Sequence, residues 1–123
     1  MSKRILIVDD EPNIVISLEF LMKREGFEVA VARDGEEGLQ AIRSQRPDLV
    51  VLDVMMPKLN GFEVCEAVRA DRDLDEVRIL MLTAKGREAE MKKGLGLGAD
   101  AYVSKPFSTH ALVEKVNALL LRE

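Results

Sequence analysis

Apolar residues along the chain fall into two alternating patterns. Short apolar runs recur at residues 5–8, 29–32, 49–52, 79–82 and 101–103. Three of them, at 5–8, 49–52 and 79–82, are unbroken aliphatic stretches. Runs of that length predict strands buried on both faces, the habit of parallel sheets covered by helices. The run around Val29 alternates instead (Phe27, Val29, Val31) and predicts an edge strand. Between the runs, apolar residues return at helical spacing. Ile14, Val15, Leu18, Leu21 and Met22 predict a helix over residues 12–25. Asp10 or Glu11 can cap it, Pro12 suits its first turn and Gly26 its end. A second helix is predicted over Gly35–Gln45, stopped by Arg46-Pro47. A third runs from Asn60, its cap, to about Arg72, with Phe62, Cys65 and Val68 inward. A fourth over 87–97 is more weakly patterned, because Lys92 and Lys93 interrupt it. A fifth over 108–121 starts at Ser108 or Thr109 and turns Leu112, Val113, Val116, Leu119 and Leu120 to one side.

Strict β-α alternation with short links predicts a doubly wound α/β sandwich of (βα)5 type. Its sheet is parallel, with helices on both faces, because each crossover is right-handed. No linker, repeat or low-complexity stretch divides the chain, so one domain is expected over 1–123.

In such sheets functional groups collect beyond the carboxyl ends of the strands. The first run is followed by Asp9-Asp10-Glu11. The third ends in Asp53, before Val54-Met55-Met56-Pro57. The fourth ends in Thr83-Ala84, and Lys105-Pro106 follow the fifth. The second run ends at Arg33-Asp34-Gly35, read as an ordinary turn. Four of five strands therefore deliver a polar group to one edge. Three adjacent carboxylates repel, so one holds a proton unless a cation joins them. A hard divalent cation with oxygen ligands answers that need, and Mg²⁺ commonly takes one or two carboxylates plus waters and a phosphate. A lysine and a hydroxyl beside it suit the three oxygens of a phosphoryl group. Asp53, rigid at the end of a central strand, is the candidate nucleophile of an aspartyl phosphate. Asp9 and Asp10 are the candidate metal ligands. Taken singly, each residue has a structural reading: a helix cap, a strand-end hydroxyl, a solvated lysine. The combination on four βα turns carries the functional one.

Composition narrows the classes. The chain has 123 residues, a formal net charge of −4, one cysteine and one histidine. That excludes a disulfide framework, a thiolate zinc site and a His-rich metal site. Mild acidity leaves no footprint for nucleic acid or an anionic membrane. The four apolar residues after Lys3-Arg4 are too few for a signal peptide, and no run approaches a membrane span, so the expected location is cytoplasmic. Gly94-Leu95-Gly96-Leu97-Gly98-Ala99 formally contains G-x-G-x-x-A. It follows a helix rather than a strand, so it reads as a helix end and a turn. No Gly-Lys pair exists to form a P-loop. Cys65 reads as a small core residue and His110 as an exposed, non-catalytic one.

The sequence resembles the receiver (response regulator) domain of two-component signalling over nearly its whole length. The matching residues are Val8-Asp9-Asp10, Asp53 in Leu52-Asp53-Val54-Met55-Met56-Pro57 with Gly61 behind it, Thr83-Ala84, and Gly98-Ala99-Asp100-Ala101-Tyr102 running into Lys105-Pro106-Phe107. The resemblance implies a flavodoxin-like sheet of order 2-1-3-4-5 with Asp53 as phosphoacceptor. It implies Mg²⁺, with Mn²⁺ as a substitute, bound by Asp10, Asp53 and the Met55 carbonyl, and by Asp9 through water. Thr83 and Lys105 would contact the phosphoryl group, Tyr102 would switch with Thr83, and Lys105-Pro106 would be cis. It further implies a histidine kinase or histidine phosphotransfer protein as donor, and a downstream effector reading the surface of the fourth helix, fifth strand and fifth helix. Neither nucleic acid nor membrane would be bound directly, and the domain would be a monomer or a weak phosphorylation-dependent dimer. It would be a switch that catalyses only its own phosphorylation and dephosphorylation. Leu59 and Asn60 depart from the methionine and aspartate of many relatives, at positions that do not touch phosphate. Lys85, Arg87, Lys92 and Lys93 make the fourth helix region basic, which bears on partner choice or is a solvated face. The predicted last helix leaves two residues, so a stand-alone regulator or a piece of a longer chain is expected.

Three rival readings are separable. A metal-dependent aspartyl-phosphate phosphohydrolase resembling the haloacid dehalogenase superfamily would want D-x-D after the first strand, where Asp9-Asp10 are adjacent. A flavodoxin-like flavin binder would bring its phosphate against Asp9 and Asp10. A degenerate receiver acting only as an interaction module would not need the full acidic set.

Overall fold

The computed structural model describes residues 3–84 and 88–121. Its elements follow in strict alternation: β1 (Arg4–Val8), α1 (Pro12–Arg24), β2 (Glu28–Ala32), α2 (Gly35–Gln45), β3 (Leu49–Asp53), α3 (Gly61–Arg69), β4 (Arg78–Ala84), α4 (Glu88–Gly96), β5 (Ala101–Lys105) and α5 (Thr109–Leu121). The strands form one parallel sheet of order β2-β1-β3-β4-β5. This is the doubly wound, flavodoxin-like topology expected from the sequence.

The unbroken apolar runs have a direct structural cause. Successive side chains of a strand point to opposite faces. Leu6 and Val8 of β1, with Val50 and Leu52 of β3, enter a core against α2 and α3. Ile5 and Ile7, with Leu49 and Val51, enter a second core against α1 and α5. Both faces are covered, so both parities must be apolar. At edge strand β2, Val29, Ala30 and Val31 are all half-buried. The expected edge position holds, but burial does not alternate there, because helices cover both sides.

Several helix ends differ from expectation. Helix α3 stops at Arg69 rather than about Arg72, and a 3-10 turn over Arg72–Leu74 follows. Asn60 does cap α3, in a reciprocal box with Glu63. For α1, Glu11 takes the cap position without using its side chain. The carboxylate of Asp9 instead accepts the Glu11 N–H at 2.9 Å, so neither Asp10 nor Glu11 caps this helix by its side chain. The Ser108 hydroxyl accepts the Ala111 N–H at 3.2 Å and begins α5. Gly26, past α1, has φ +93°, a conformation that suits glycine. Helix α4 ends at Gly96 rather than Leu97, and Gly94 is its buried residue. The expected start at Arg87, and Lys85, lie outside the described residues. Cys65 is fully buried, as expected of a core residue. Burial pushes its thiol up to about 11, against the partial relief of Arg69.

Arg69 ties the far ends of these elements together. Its guanidinium donates to the carbonyls of Gly98 and Val77 and to the Asp100 carboxylate, each at 2.8 Å. Asp100 also accepts the Ile79 N–H at 2.8 Å. One side chain thus joins α3 to the start of β4 and to the turn before β5. Arg69→Ala is expected to lower the unfolding free energy by about 2 kcal/mol, since two carbonyls and a half-buried charge lose a donor. Urea unfolding followed by circular dichroism measures this, and a loss near zero would show that water replaces the guanidinium freely.

Candidate functional site

The carboxyl ends of β1, β3, β4 and β5 form one edge, and the residues expected there meet at it. Asp9 follows β1, and its N–H extends the ladder to the Ala32 carbonyl at 3.2 Å. Asp53 is the last residue of β3, in register with Leu82 of β4. Thr83 follows Leu82 and pairs in register with Ser104, next to Lys105 on β5. Strand β3 lies between β1 and β4; its pairing with β1 runs to Leu52, and its pairing with β4 includes Asp53.

Burial is severe for such polar groups. Asp9 is 0% exposed, Thr83 1% and Asp53 6%, whereas Asp10 is exposed. Oxygens of Asp9, Asp10 and Asp53 lie within 4.8 Å of one another. Lys105 Nζ lies 3.2 Å from Asp53 Oδ1, 3.3 Å from Asp9 Oδ2 and 3.9 Å from Glu11 Oε1. The Lys105-Pro106 peptide is cis, as the resemblance implied.

Charge crowding leaves its mark on protonation. Burial, reinforced by the charge of Asp9 and opposed by Lys105, pushes Asp53 up to about 6. Burial also raises Asp9, although the Glu11 N–H and Lys105 pull the other way. For Lys105, burial alone would lower the value, but the carboxylates of Asp53 and Asp9 outweigh it and hold the ammonium above its usual range. The donor set is all hard oxygen, anionic and undercompensated, which fits Mg²⁺ and not a thiolate-seeking metal. A further observation concerns the phosphoryl side of the site. Thr83 Oγ1 is buried with no hydrogen-bond partner among the described residues. A buried hydroxyl left unpaired costs about 1–3 kcal/mol, so an acceptor arriving at it is favoured.

The loop after Asp53 is tightly routed. Gly61 N–H donates to the Val54 carbonyl at 2.9 Å. A Cβ at Gly61 would lie 2.4 Å from the Asp53 carbonyl oxygen, which is why this position takes glycine. The Met55 side chain is exposed. Sequence reasoning missed the Asp9–Glu11 hydrogen bond, the ion pair of Lys58 with Asp34 at 3.8 Å and the part of Glu63 in capping α3. The Asn60-x-x-Glu63 spacing is a readable capping-box signal. The φ of +70° at Lys58 has no signal in a lysine.

Tyr102 is half-buried on β5, with Lys115 Nζ 5.3 Å from its ring centroid. With Glu88, Met91, Lys92, Leu95 and Ser104 it lines a groove between α4 and β5. His110 is exposed and pairs at 2.7 Å with Glu114 rather than joining the acidic site.

Comparisons with known proteins agree with this geometry. Residues 5–117 match the family described as the response regulator receiver domain. The chain is 48% identical over 122 residues to the alkaline phosphatase synthesis transcriptional regulatory protein PhoP of Bacillus subtilis. That match covers 99% of this chain and 50% of PhoP, so the chain spans about half the length of this curated relative. Among solved structures, a response regulator from Chloroflexus aurantiacus superposes with a TM-score of 0.96 at 37% identity, covering 99% of this chain and 100% of that one. The receiver domain of sensor histidine kinase PA1611 from Pseudomonas aeruginosa superposes with a TM-score of 0.89 at 26% identity, covering 98% of each chain. Its structure holds a magnesium ion in the active site cleft. The phosphohydrolase and flavin-binding alternatives give way to this match. By the family match over most of its length, and by a site assembled from four strand ends, the chain belongs to the response regulator receiver domains, the signalling switches of two-component systems.

Proposed function

We propose that this domain, spanning 1–123, is a phosphorylation switch whose acceptor is Asp53. The donor is a phosphohistidine on a histidine kinase or a histidine phosphotransfer protein. A carboxylate oxygen of Asp53 attacks phosphorus in line, the P–N bond breaks, and the imidazole leaves with its electron pair. Asp53 must be ionised to attack. With a value of about 6 it is mostly carboxylate at neutral pH and more basic than an ordinary aspartate. Lys105, already held between Asp9 and Asp53, stays protonated and turns its charge to the phosphoryl oxygens. The Thr83 hydroxyl donates to one of those oxygens and so finds the acceptor it lacks. Asp10, Asp53 and the Met55 carbonyl would hold Mg²⁺, or Mn²⁺ in its place, with Asp9 acting through water. When bound, the cation neutralises charge that builds on the transferring group.

The buried, unpartnered Thr83 hydroxyl is the observation that supports this reading most, because an acidic site built for a cation alone has no use for it. Movement of Thr83 towards phosphate frees room at the Tyr102 ring and biases the α4–β5–α5 surface, which a downstream protein reads. The domain turns over no free metabolite, acts in the cytoplasm, and is a monomer or a weak dimer formed on phosphorylation. We assign to it protein contacts rather than direct binding of nucleic acid. No described helix is long and apolar enough to cross a membrane.

Incubation with acetyl phosphate and Mg²⁺, followed by intact mass, tests the reading. One phosphate adduct is expected, removable by hydroxylamine as an acyl phosphate must be, and absent when the cation is chelated. An adduct that resists hydroxylamine, or none at all, would sink the proposal.

A further inference from the structure

The Asp34-Gly35 turn between β2 and α2 takes no part in the chemistry above, yet it lies between two segments that lead into the acidic site. On one side β2 ends at Ala32, whose carbonyl accepts the Asp9 N–H at 3.2 Å. On the other, Gly35 opens α2 directly against the loop over 54–60. A Cβ at position 35 would lie 1.9 Å from the Leu59 carbonyl oxygen, and 2.6 Å from its carbonyl carbon and its Cβ. Only a residue without a side chain permits that approach. Leu59 itself packs, half-buried, against the core under α2 and α3.

The same turn reaches the loop a second time. Lys58 Nζ sits 3.8 Å from Asp34 and 3.7 Å from Glu36. The other oxygen of Asp34 accepts the Glu37 N–H at 2.8 Å and caps α2. The ends of the loop are held by Val54 N–H on the Leu82 carbonyl at 3.2 Å and by the Asn60–Glu63 box. The stretch between them contains Met55. Its course is set where Leu59 seats on Gly35.

We infer that Gly35 is a positioning residue of the cation pocket. By admitting the Leu59 backbone against α2 it fixes the path of the 54–60 loop, and with it the cation affinity of the Asp9, Asp10 and Asp53 cluster. The inference rests on the cation reading proposed above. Gly35→Ala must push the Leu59 carbonyl away, because the obstacle is backbone and cannot rotate aside. Groups that support metal ligands from behind typically change affinity by about 10–100-fold when lost.

Titration calorimetry of the full chain with Mg²⁺, together with amide chemical shifts over 53–61, tests the inference. Gly35→Ala is expected to raise the Mg²⁺ dissociation constant about tenfold and to move the loop amides before any cation is added. Gly94→Ala is the control for destabilisation alone. Its Cβ, on α4, would lie 2.5 Å from Met81 Sδ of β4, and its dissociation constant is expected within about twofold of wild type. Leu59→Ala keeps the carbonyl and Cβ that meet Gly35 but removes the side chain that anchors them to the core, so it loosens the seat without a clash and reports even if Gly35→Ala does not fold, and an increase of about threefold or more is expected. An unchanged constant in folded Gly35→Ala overturns the inference. So does an unchanged constant in Leu59→Ala where Gly35→Ala cannot fold, or an equal rise in Gly94→Ala. A wild-type chain that binds no Mg²⁺ overturns the cation reading itself and the inference with it. Binding by wild type with unmoved variants removes the inference alone.

Discussion

Asp53→Asn is expected to make the metal-free protein more stable at neutral pH, by up to about 3 kcal/mol, while abolishing its phosphorylation. The sign follows from the direction of the shift. Asp53 titrates near 3.8 when unfolded and at about 6 when folded. Between those values the folded chain holds a proton that the unfolded chain has lost. Wild-type stability therefore gains from this group as pH falls from about 7 towards 4, and the gain is absent above the folded value. At neutral pH the folded chain must bear a buried carboxylate beside Asp9, and the unfolded chain bears no such cost. Asparagine keeps the shape and removes the charge. Asp9, also raised by burial, shifts stability in the same direction. Urea unfolding in chelator at about pH 5 and about pH 7.5 measures the difference between wild type and variant. The gap should be wide at the higher pH and narrow at the lower. Adding Mg²⁺ should close or reverse it, because only the native wild-type site gains binding energy. A gap independent of pH would mean that the carboxylate of Asp53 is solvated after all.

The second large effect is expected at Lys105. Lys105→Met removes the cation that lies 3.2 Å from Asp53 and 3.3 Å from Asp9, and keeps a stem of similar length. Phosphorylation by acetyl phosphate at saturating Mg²⁺ should slow on the order of 100-fold, the usual effect of deleting one preorganised donor to a charge-developing centre. Without metal, two buried carboxylates then face each other uncompensated. Asp53 should titrate above about 6, since Lys105 is what lowers it. The raised value of Lys105 carries its own sign. A folded value above the unfolded one means that its contribution to stability is in place at neutral pH and fades only as pH rises through the folded value. The variant should therefore be less stable than wild type at neutral pH in chelator, and should gain more than wild type from Mg²⁺. Time courses of the phosphate adduct and thermal melts with and without Mg²⁺ read both effects. A variant phosphorylated at the wild-type rate would remove Lys105 from the proposed transition state.

How far the sequence led can be judged on particular residues. Unbroken runs such as Ile5-Leu6-Ile7-Val8 dictated two-sided burial, because period-two alternation sends neighbours to opposite cores. Strict βα alternation dictated a parallel sheet, and the polar residues that follow four of the five runs marked Asp9, Asp53, Thr83 and Lys105 as neighbours. Gly26 and Asn60 announced helix ends by local chemistry alone.

Other properties depend on groups far apart in sequence. The fall of α3 into a 3-10 turn after Arg69 goes with long-range bonds from Arg69 to Val77, Gly98 and Asp100. Asp9 turned out to accept the Glu11 N–H, so the residue read as a metal ligand also organises the start of α1. The shift of Asp53 needs burial and the distances to Asp9 and Lys105, none of which is a property of the residue itself. The turn at Asp34-Gly35 looked ordinary because its partner, Leu59, lies on a different crossover. The elements, the sheet and the set of reactive groups were legible along the chain, since these follow from periodicity and connectivity. Protonation and the seating of the loop needed the folded molecule, because both are sums over neighbours that folding brings together.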